Sequence, residues 1–157
     1  KKMSIELVRI DERLIHGQIA YSWSTAYQVS QIIVVDDEIA QDPTQKMLLG
    51  MAVPRGKKHA ILSIEEASEF LKDGTNEKVF IVVKSPQILL ELLQNGIHLP
   101  SINIGGMYFK TGKKEISKTV YLNNEDIEIF KKIKEFDVPC EIRTSPSDKS
   151  IDLFKHI

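Results

Sequence analysis

The chain has one cysteine, one tryptophan and no long apolar run in its 157 residues. A single cysteine excludes an internal disulfide and fits a reducing compartment. With no apolar run near the length of a membrane span, and no apolar signal at the start, direct membrane insertion is not expected. An excess of one charge is missing too. Lysine and arginine number 21 against 22 acids, a net charge of −1, so no global field gathers nucleic acid or a membrane surface. No basic face interleaved with aromatics is found, which argues against a single-strand binder. No Gly-x-Gly-x-x-Gly follows a predicted strand, and the Lys110–Lys114 stretch fails the phosphate-loop pattern because Lys114 precedes Glu115. His16, His59, His98 and His156 share no ligand-like spacing, so no metal and no cofactor is expected. Cys140 falls inside a predicted strand, a poor setting for a nucleophile.

What is present is an ordinary globular profile, 42% apolar and 27% charged, at a length that suits one domain with a real core. Lys1 and Lys2 precede Met3 and read as an addition or an early start, leaving residues 1–157 as a single domain. Apolar patterning predicts strands at 5–8, 31–35, 60–62, 79–83, 102–104, 119–122 and 138–143. The run at 79–83 is the most hydrophobic and is expected inside the sheet. Pro139 suits an edge position for the last strand. Helices are predicted at 19–27, 39–53, 63–71, 86–95 and 125–136. Ser63 and Glu66 form a capping box, Pro86 sits at a first helical position, and Asn95-Gly96 closes that helix. Met47, Leu48, Met51 and Ala52 share one side of their helix and are expected to fill core. Residues 73–76 read as a loop, and the tail from Ser145 is polar. Strand and helix alternate, which predicts an α/β fold: a mainly parallel open sheet of about seven strands with helices on both faces.

The chemistry concentrates in residues 9–18, Arg-Ile-Asp-Glu-Arg-Leu-Ile-His-Gly-Gln, read as the turn between the first strand and first helix. In an open α/β sheet the crevice beyond the strands' carboxyl ends binds ligands. Neutral imidazole at His16 is a nucleophile near neutral pH. Arg13 offers a fixed positive fork for phosphate oxygens. Gly17 lets the backbone come close to a bound group, and the amides about Ile15 and Gly17 open the helix where an anion is favoured. Asp11 is placed to hold either Arg13 or the His16 ring. These groups suit an imidazole that takes and passes on a phosphoryl group; a general base or a plain anion site uses the same residue types. The Gly105-Gly106 pair after Ile102-Asn103-Ile104 suggests positive φ or a close backbone approach, or else a plain tight turn.

Residues 9–18 closely resemble the signature of the IIB components of the mannose/fructose/sorbose family of the bacterial sugar phosphotransferase system. The resemblance continues through Val35-Asp36-Asp37-Glu38 with Lys46-Met47-Leu48-Leu49, through Asn103-Ile104-Gly105-Gly106-Met107, and through Glu141-Ile142-Arg143 with Pro146 and Asp148. Glu12 stands where the family often has a second Asp and keeps the charge. The resemblance implies that His16 is the phosphohistidine nucleophile, with Arg13 and Asp11 at the phosphoryl site and Asn103, Gly105 and Gly106 in a neighbouring turn. It implies a phosphotransferase that accepts its phosphoryl group from a IIA partner charged by HPr. The group then passes to a sugar held by the membrane IIC/IID permease, the carrier itself being cytoplasmic and peripheral to that complex. Mannose, fructose, sorbose, N-acetylgalactosamine and galactosamine all fit as the sugar. Exposed aromatics near His16, from Tyr21, Trp23 and Tyr108, are candidates for partner contact or for core.

Two other classes share parts of the pattern. A receiver phosphorylated on aspartate would use Asp36-Asp37 and Lys84, but the strand ending Ile61-Leu62-Ser63 lacks its acceptor. A non-catalytic module holding a phosphorylated ligand through Arg13 and the loop amides would release that ligand on denaturation, where a carrier stays labelled.

Overall fold

Alternate residues of the strands enter opposite layers. The computed structural model describes residues 4–73 and 77–157; the expected turn at 74–76 and the leading lysines lie outside the described residues. In β1 (Ser4–Asp11), Val8 and Ile10 join one core while Leu7 joins the other. In β2 (Gln31–Val35), Ile33 and Val35 separate from Ile32 and Val34 in the same way. In β4 (Lys78–Val83), Val79, Ile81 and Val83 separate from Phe80 and Val82. A strand apolar on both faces is stable only when both faces are covered. Each fully buried Val or Ile contributes about 1.5–3 kcal/mol before conformational entropy.

The covering helices divide accordingly. Residues of α3 (Ile64–Asp73), α4 (Pro86–Gln94) and α5 (Asn124–Lys134) enter the first core. Residues of α1 (Gly17–Ala26) and Leu49 of α2 (Pro43–Met51) enter the second. The predicted capping box forms, Ser63 and Glu66 exchanging side-chain and backbone bonds at 3.1 and 2.9 Å, and Asn123 with Asp126 makes a second one on α5. Pro86 opens α4, and Gly96 follows it with φ near +90°.

With β3 (Lys58–Leu62), β5 (Ile102–Gly106), β8 (Cys140–Ile142) and β9 (Ile151–Asp152), the sheet has seven strands in the order β3-β2-β4-β1-β5-β8-β9. Every pairing is parallel except β8 with β9. The link from β4 to β5 steps across β1, so the chain changes direction beside the central strand. That places the β1–α1 connection at the carboxyl edge where crevices form.

Four expectations change. The stretch at 119–122 is not in the sheet; β7 (Val120–Leu122) pairs antiparallel with β6 (Lys114–Ser117) as a separate ribbon. The polar tail supplies the seventh strand instead, because Leu153 is fully buried and pins it. β8 is therefore not an edge, and Pro139 sits ahead of it with its carbonyl accepting from the Ile102 amide at 2.8 Å. The expected helix at 39–53 is a 3-10 turn, Ile39–Gln41, then α2, because Asp42 caps a new helix start and Pro43 occupies its first position. α2 has no buried residue, and Met47, Leu48 and Met51 face solvent rather than core.

Candidate functional site

The first strand runs three residues further than its apolar pattern suggested, so Arg9 and Asp11 belong to β1 and not to the turn. They lie two and four residues after Leu7 and share its face, because side chains alternate along a strand. On that face the apolar layer gives way to a polar one. Arg9 is 1% exposed, and its Nη1 donates to the Asn103 side chain and to the Arg143 carbonyl at 3.0 Å. Its Nη2 donates to the Thr144 carbonyl at 3.1 Å and to Asp11 Oδ2 at 3.4 Å. The guanidinium lies over the Trp23 ring, 4.9 Å from its centroid, and Arg143 lies 5.2 Å from the same ring. Burial pushes the Arg9 pKa down from its usual value, with Asp11 opposing that shift. Trp23 is fully buried, so it is core and not a rim aromatic.

Asn103, Gly105 and Gly106 are buried strand residues of β5, not a turn. Arg9 pairs across the ladder with Asn103, and Asp11 with Gly106. Of the two readings of the glycines, close approach is what the structure shows. A Cβ on Gly105 would overlap the Arg9 guanidinium, and one on Gly106 would lie 2.5 Å from Tyr108 Oη and 3.0 Å from Asp11 Oδ1. Neither glycine has positive φ.

Asp11 is the hub. Its Oδ1 accepts from the Arg13 amide at 3.0 Å and from Arg13 Nε at 3.3 Å. Its Oδ2 meets Arg13 Nη2 at 3.4 Å and His16 Nε2 at 3.3 Å. Where the sequence left Asp11 to hold either the arginine or the ring, the carboxylate holds both, and Arg9 as well. The bond to the Arg13 amide, with the Leu14 amide donating to the Asp11 carbonyl at 2.9 Å, closes the turn. Leu14 takes φ near +58° inside it, a conformation an L residue adopts only when its surroundings impose it. Leu14 and Ile15 are both buried in the core against α1 and hold the loop down from below.

The loop therefore presents a short polar face. Arg13 is half-exposed, its Cζ 5.3 Å from the centroid of the Tyr108 ring. The Tyr108 amide donates to Glu12 Oε1 at 3.3 Å, which ties the loop to the segment after β5. Burial raises the Tyr108 pKa, and the Asp11 charge adds to it. His16 stands at the N-cap of α1 but makes no side-chain cap, and the first helical bond returns to its carbonyl from the Ala20 amide at 3.2 Å. The first amides of a helix have no intrahelical partner and favour negative charge. Gly17 has φ near +38°, and no atom lies within 4 Å of where a Cβ would sit. Sequence reasoning placed His16, Arg13, Asp11, Ile15 and Gly17 together, and the structure joins them in one loop. It missed Arg9 and Arg143 as members of the supporting network; the Leu7, Arg9, Asp11 alternation was the available signal.

The rival groups have other roles. Lys84 Nζ lies 3.1 Å from Asp36 Oδ2 and 3.4 Å from Glu38 Oε1. Burial lowers the Lys84 pKa, but the two carboxylates outweigh it and the net shift is upward. Asp36 Oδ1 meanwhile accepts from the Glu38 and Ile39 amides at 3.1 and 3.0 Å, holding the turn after β2. Cys140 is buried, which pushes its thiol up to about 12 and keeps it protonated.

Comparison with known proteins gives one consistent result. The family model for the "PTS system sorbose subfamily IIB component" matches residues 5–157. The sorbose-specific EIIB component of Lacticaseibacillus casei is 38% identical over 157 residues, covering 99% of this chain and 96% of that protein. The mannose-specific EIIAB component of Escherichia coli (strain K12) is 36% identical over 160 residues, covering 99% of this chain and 50% of that protein. The crystal structure of the IIBSor domain of the sorbose permease from Klebsiella pneumoniae superposes with a TM-score of 0.93 at 33% identity, covering 98% of this chain and 96% of that one.

Proposed function

This chain belongs to the sorbose subfamily of phosphotransferase-system IIB components, the phosphoryl-transferring carriers of sugar uptake, and from that premise we propose that His16 carries the phosphoryl group on Nδ1. One observation supports the choice of atom above the others: His16 Nε2 is 3.3 Å from Asp11 Oδ2. A carboxylate accepts, so the tautomer that satisfies this contact has its proton on Nε2 and its lone pair on Nδ1. Nδ1 has no hydrogen-bond partner among the described residues. The ring attacks phosphorus through Nδ1, the donor's N–P bond breaks, and the bond electrons leave with the donor imidazole. The positive charge gained by the His16 ring faces Asp11, which holds it in place.

The transferring oxygens meet Arg13 and the open first turn of α1 around Gly17. Both are set before the reaction, and preorganised charge of this kind stabilises a transition state without further reorganisation. Ile15 serves through its backbone, its side chain being the anchor. Asp11 positions both the arginine and the ring, and Arg9, Asn103, Gly105 and Gly106 support Asp11 from behind the sheet edge. On this reading residues 1–157 form one carrier domain.

A IIA protein is the donor, consistent with the joined A and B parts named in the Escherichia coli relative, and HPr charges that IIA. The membrane IIC/IID permease holds the acceptor sugar. No helix among the described residues is long and apolar enough to cross a membrane, and the domain works in the cytoplasm against the inner face of the permease. His16 presents only a phosphoryl group to a sugar hydroxyl, so the choice among mannose, fructose, sorbose, galactosamine and N-acetylgalactosamine belongs to the permease chains.

The test is intact-protein mass after incubation with phosphoenolpyruvate, Enzyme I, HPr and a mannose-type IIA. One acid-labile phosphoryl group is expected on the parent chain and none on His16→Ala. Label on both would move the acceptor elsewhere. Nitrogen-15 NMR of the labelled ring separates Nδ1 from Nε2, and phosphorus on Nε2 would refute the role given to Asp11.

A further inference from the structure

The crevice along the carboxyl ends of the strands has two halves, and the His16 loop fills only one. His16 opens α1, which covers the second core, whereas α4 and α5 cover the first. On their side a cavity of about 590 Å³ lies at the ends of three neighbouring strands. Glu12 follows β1, Lys84 and Ser85 follow β4, and Met107 follows β5. Lys110 and Lys113 line it from the link into β6, and Glu125 and Asp126 from the first turn of α5. Glu12 and Lys84 also line the cleft that holds Arg13, so they stand between the two halves. This edge, beside the strand at which the winding reverses, is where open α/β sheets bind ligands. The volume is in the range of small-molecule sites.

The fold leaves donors in this cavity uncommitted. An ammonium group has three protons to give. Lys113, with only 10% of its side chain exposed, pairs with Asp126 at 3.1 Å. Lys84 lies between Asp36 and Glu38 at 3.1 and 3.4 Å. Lys110 and the Ser85 hydroxyl have no partner among the described residues, and Ser85 begins α4 without a side-chain cap. Acceptors remain as well. Glu12 receives the Tyr108 amide on Oε1 alone, and Glu125 has no partner among the described residues. Asp126 is fully engaged, its Oδ2 meeting both Lys113 and the Asn123 amide.

The balance of the lining decides what fits. The lysines at 84, 110 and 113 share the cavity with the carboxylates of Glu12, Glu125 and Asp126, which is too even for a simple anion trap. It suits a ligand with one anionic group for the free donors and several hydroxyls for the free carboxylate oxygens. Lysine holds a phosphate group as a point charge, and a carboxylate only accepts, so it takes hydroxyl protons. None of the lining residues is aromatic, so a nucleobase finds no ring to stack on.

We propose that this cavity is a binding site for a sugar phosphate, with the phosphate on Lys84, Lys110 and Ser85 and the hydroxyls on Glu125 and Glu12. The site is read from its own lining and stands whether or not His16 carries a phosphoryl group. On the carrier reading above, a sugar phosphate is the product of uptake, and the cavity then puts the carrier in contact with its own product.

The test titrates the unphosphorylated chain with mannose 6-phosphate and with N-acetylgalactosamine 6-phosphate, followed by amide NMR. Saturable shifts are expected at Lys84, Ser85, Lys110 and Glu125 with at least one of them. No saturable shift with either at millimolar concentration overturns the proposal. Shifts confined to Arg13, His16 and Gly17 overturn it too, by giving the ligand to the relay loop. Free mannose is expected not to bind, and inorganic phosphate to bind about tenfold more weakly, because the hydroxyl contacts are lost. Phosphate binding as tightly as the sugar phosphate leaves a plain anion site and overturns the proposal. Lys110 is exposed, so Lys110→Glu is expected to fold, to lose about tenfold in affinity and to be labelled by phosphoramidate at the parental rate. Unchanged affinity overturns the site, and so does lost labelling, which would place Lys110 in the relay loop's chemistry. A parent chain that binds the sugar phosphate but takes no label from phosphoramidate loses the carrier reading and keeps this site.

Discussion

Arg9 and Arg13 both reach the Asp11 carboxylate, at 3.4 and 3.3 Å, yet one is sealed in the protein and the other is half in water. Arg9 spends its donors on Asn103, on two backbone carbonyls and on Asp11, and lies over Trp23. Arg13 spends its side-chain donors on Asp11 alone among the described residues, and leaves the rest of its fork half in water. The same side chain thus does two jobs. Under the sheet edge it compensates a buried carboxylate; above the edge it keeps donors that water can reach. Burial decides which, because a guanidinium closed off from solvent has no donor that a ligand can reach.

Replacing each arginine should separate the two jobs. Arg9→Met leaves Asn103 Oδ1 without a donor and Asp11 without its buried cation, while the Arg143 and Thr144 carbonyls keep only the bonds from Asn103 Nδ2 at 3.4 Å and Trp23 Nε1 at 3.3 Å; breaking a buried pair in this way costs on the order of 3–5 kcal/mol. Urea unfolding reads that loss directly, and a variant as stable as the parent would show that Asp11 does not need Arg9. Arg13→Ala should leave stability within about 0.5 kcal/mol and slow phosphoryl transfer by roughly 10²–10³, the usual effect of removing one preorganised donor. Rapid-quench labelling measures it; normal transfer would remove Arg13 from the site.

A smaller break comes from the glycine behind Arg9. Gly105→Ala puts a methyl group into the space of the guanidinium, and overpacking of this kind costs about 1–3 kcal/mol. Thermal unfolding should register it, with transfer falling in parallel as Asp11 shifts. If stability falls and transfer does not, the buried half and the exposed half are not coupled through Asp11. The mildest change is Tyr108→Leu, which removes the ring beside Arg13. A partly exposed cation–π contact is worth about 0.5–1 kcal/mol, so transfer should slow about two- to fivefold, and Tyr108→Phe should restore it.

The helices show how far patterning reaches. Leu89, Leu90, Leu92 and Leu93 fall on one side of their helix, and α4 buries all four. Met47, Leu48 and Met51 have spacing of the same kind, and all three face solvent. Spacing says which residues share a side of a helix; it does not say what lies under that side. α4 shares its core with strands from the middle of the sheet, while α2 belongs to the connection into β3, the edge strand, where there is less sheet to cover. The glycine pair divides similarly. Two adjacent glycines announced a close approach or a turn, but naming Arg9 and Tyr108 as the groups that approach required the register of β5 on β1.

By itself the sequence determined the local and periodic features. Strand and helix alternation, the cap at Ser63, and the loop carrying Arg13, His16 and Gly17 follow from neighbours a few residues apart. It also carried the family, because residues 9–18 are contiguous. Tertiary structure alone decided the rest. The Asp11 hub joins Arg9, Arg13 and His16 at the end of one strand, and Arg9 is held in turn by Asn103 and the carbonyls of Arg143 and Thr144, 94 to 135 residues from it. The seventh strand came from a polar tail pinned by Leu153, and the bare face of α2 came from its place at the rim. Periodicity records what a residue's own element can bury, whereas a buried charge depends on partners that only the closed chain brings within 3–4 Å.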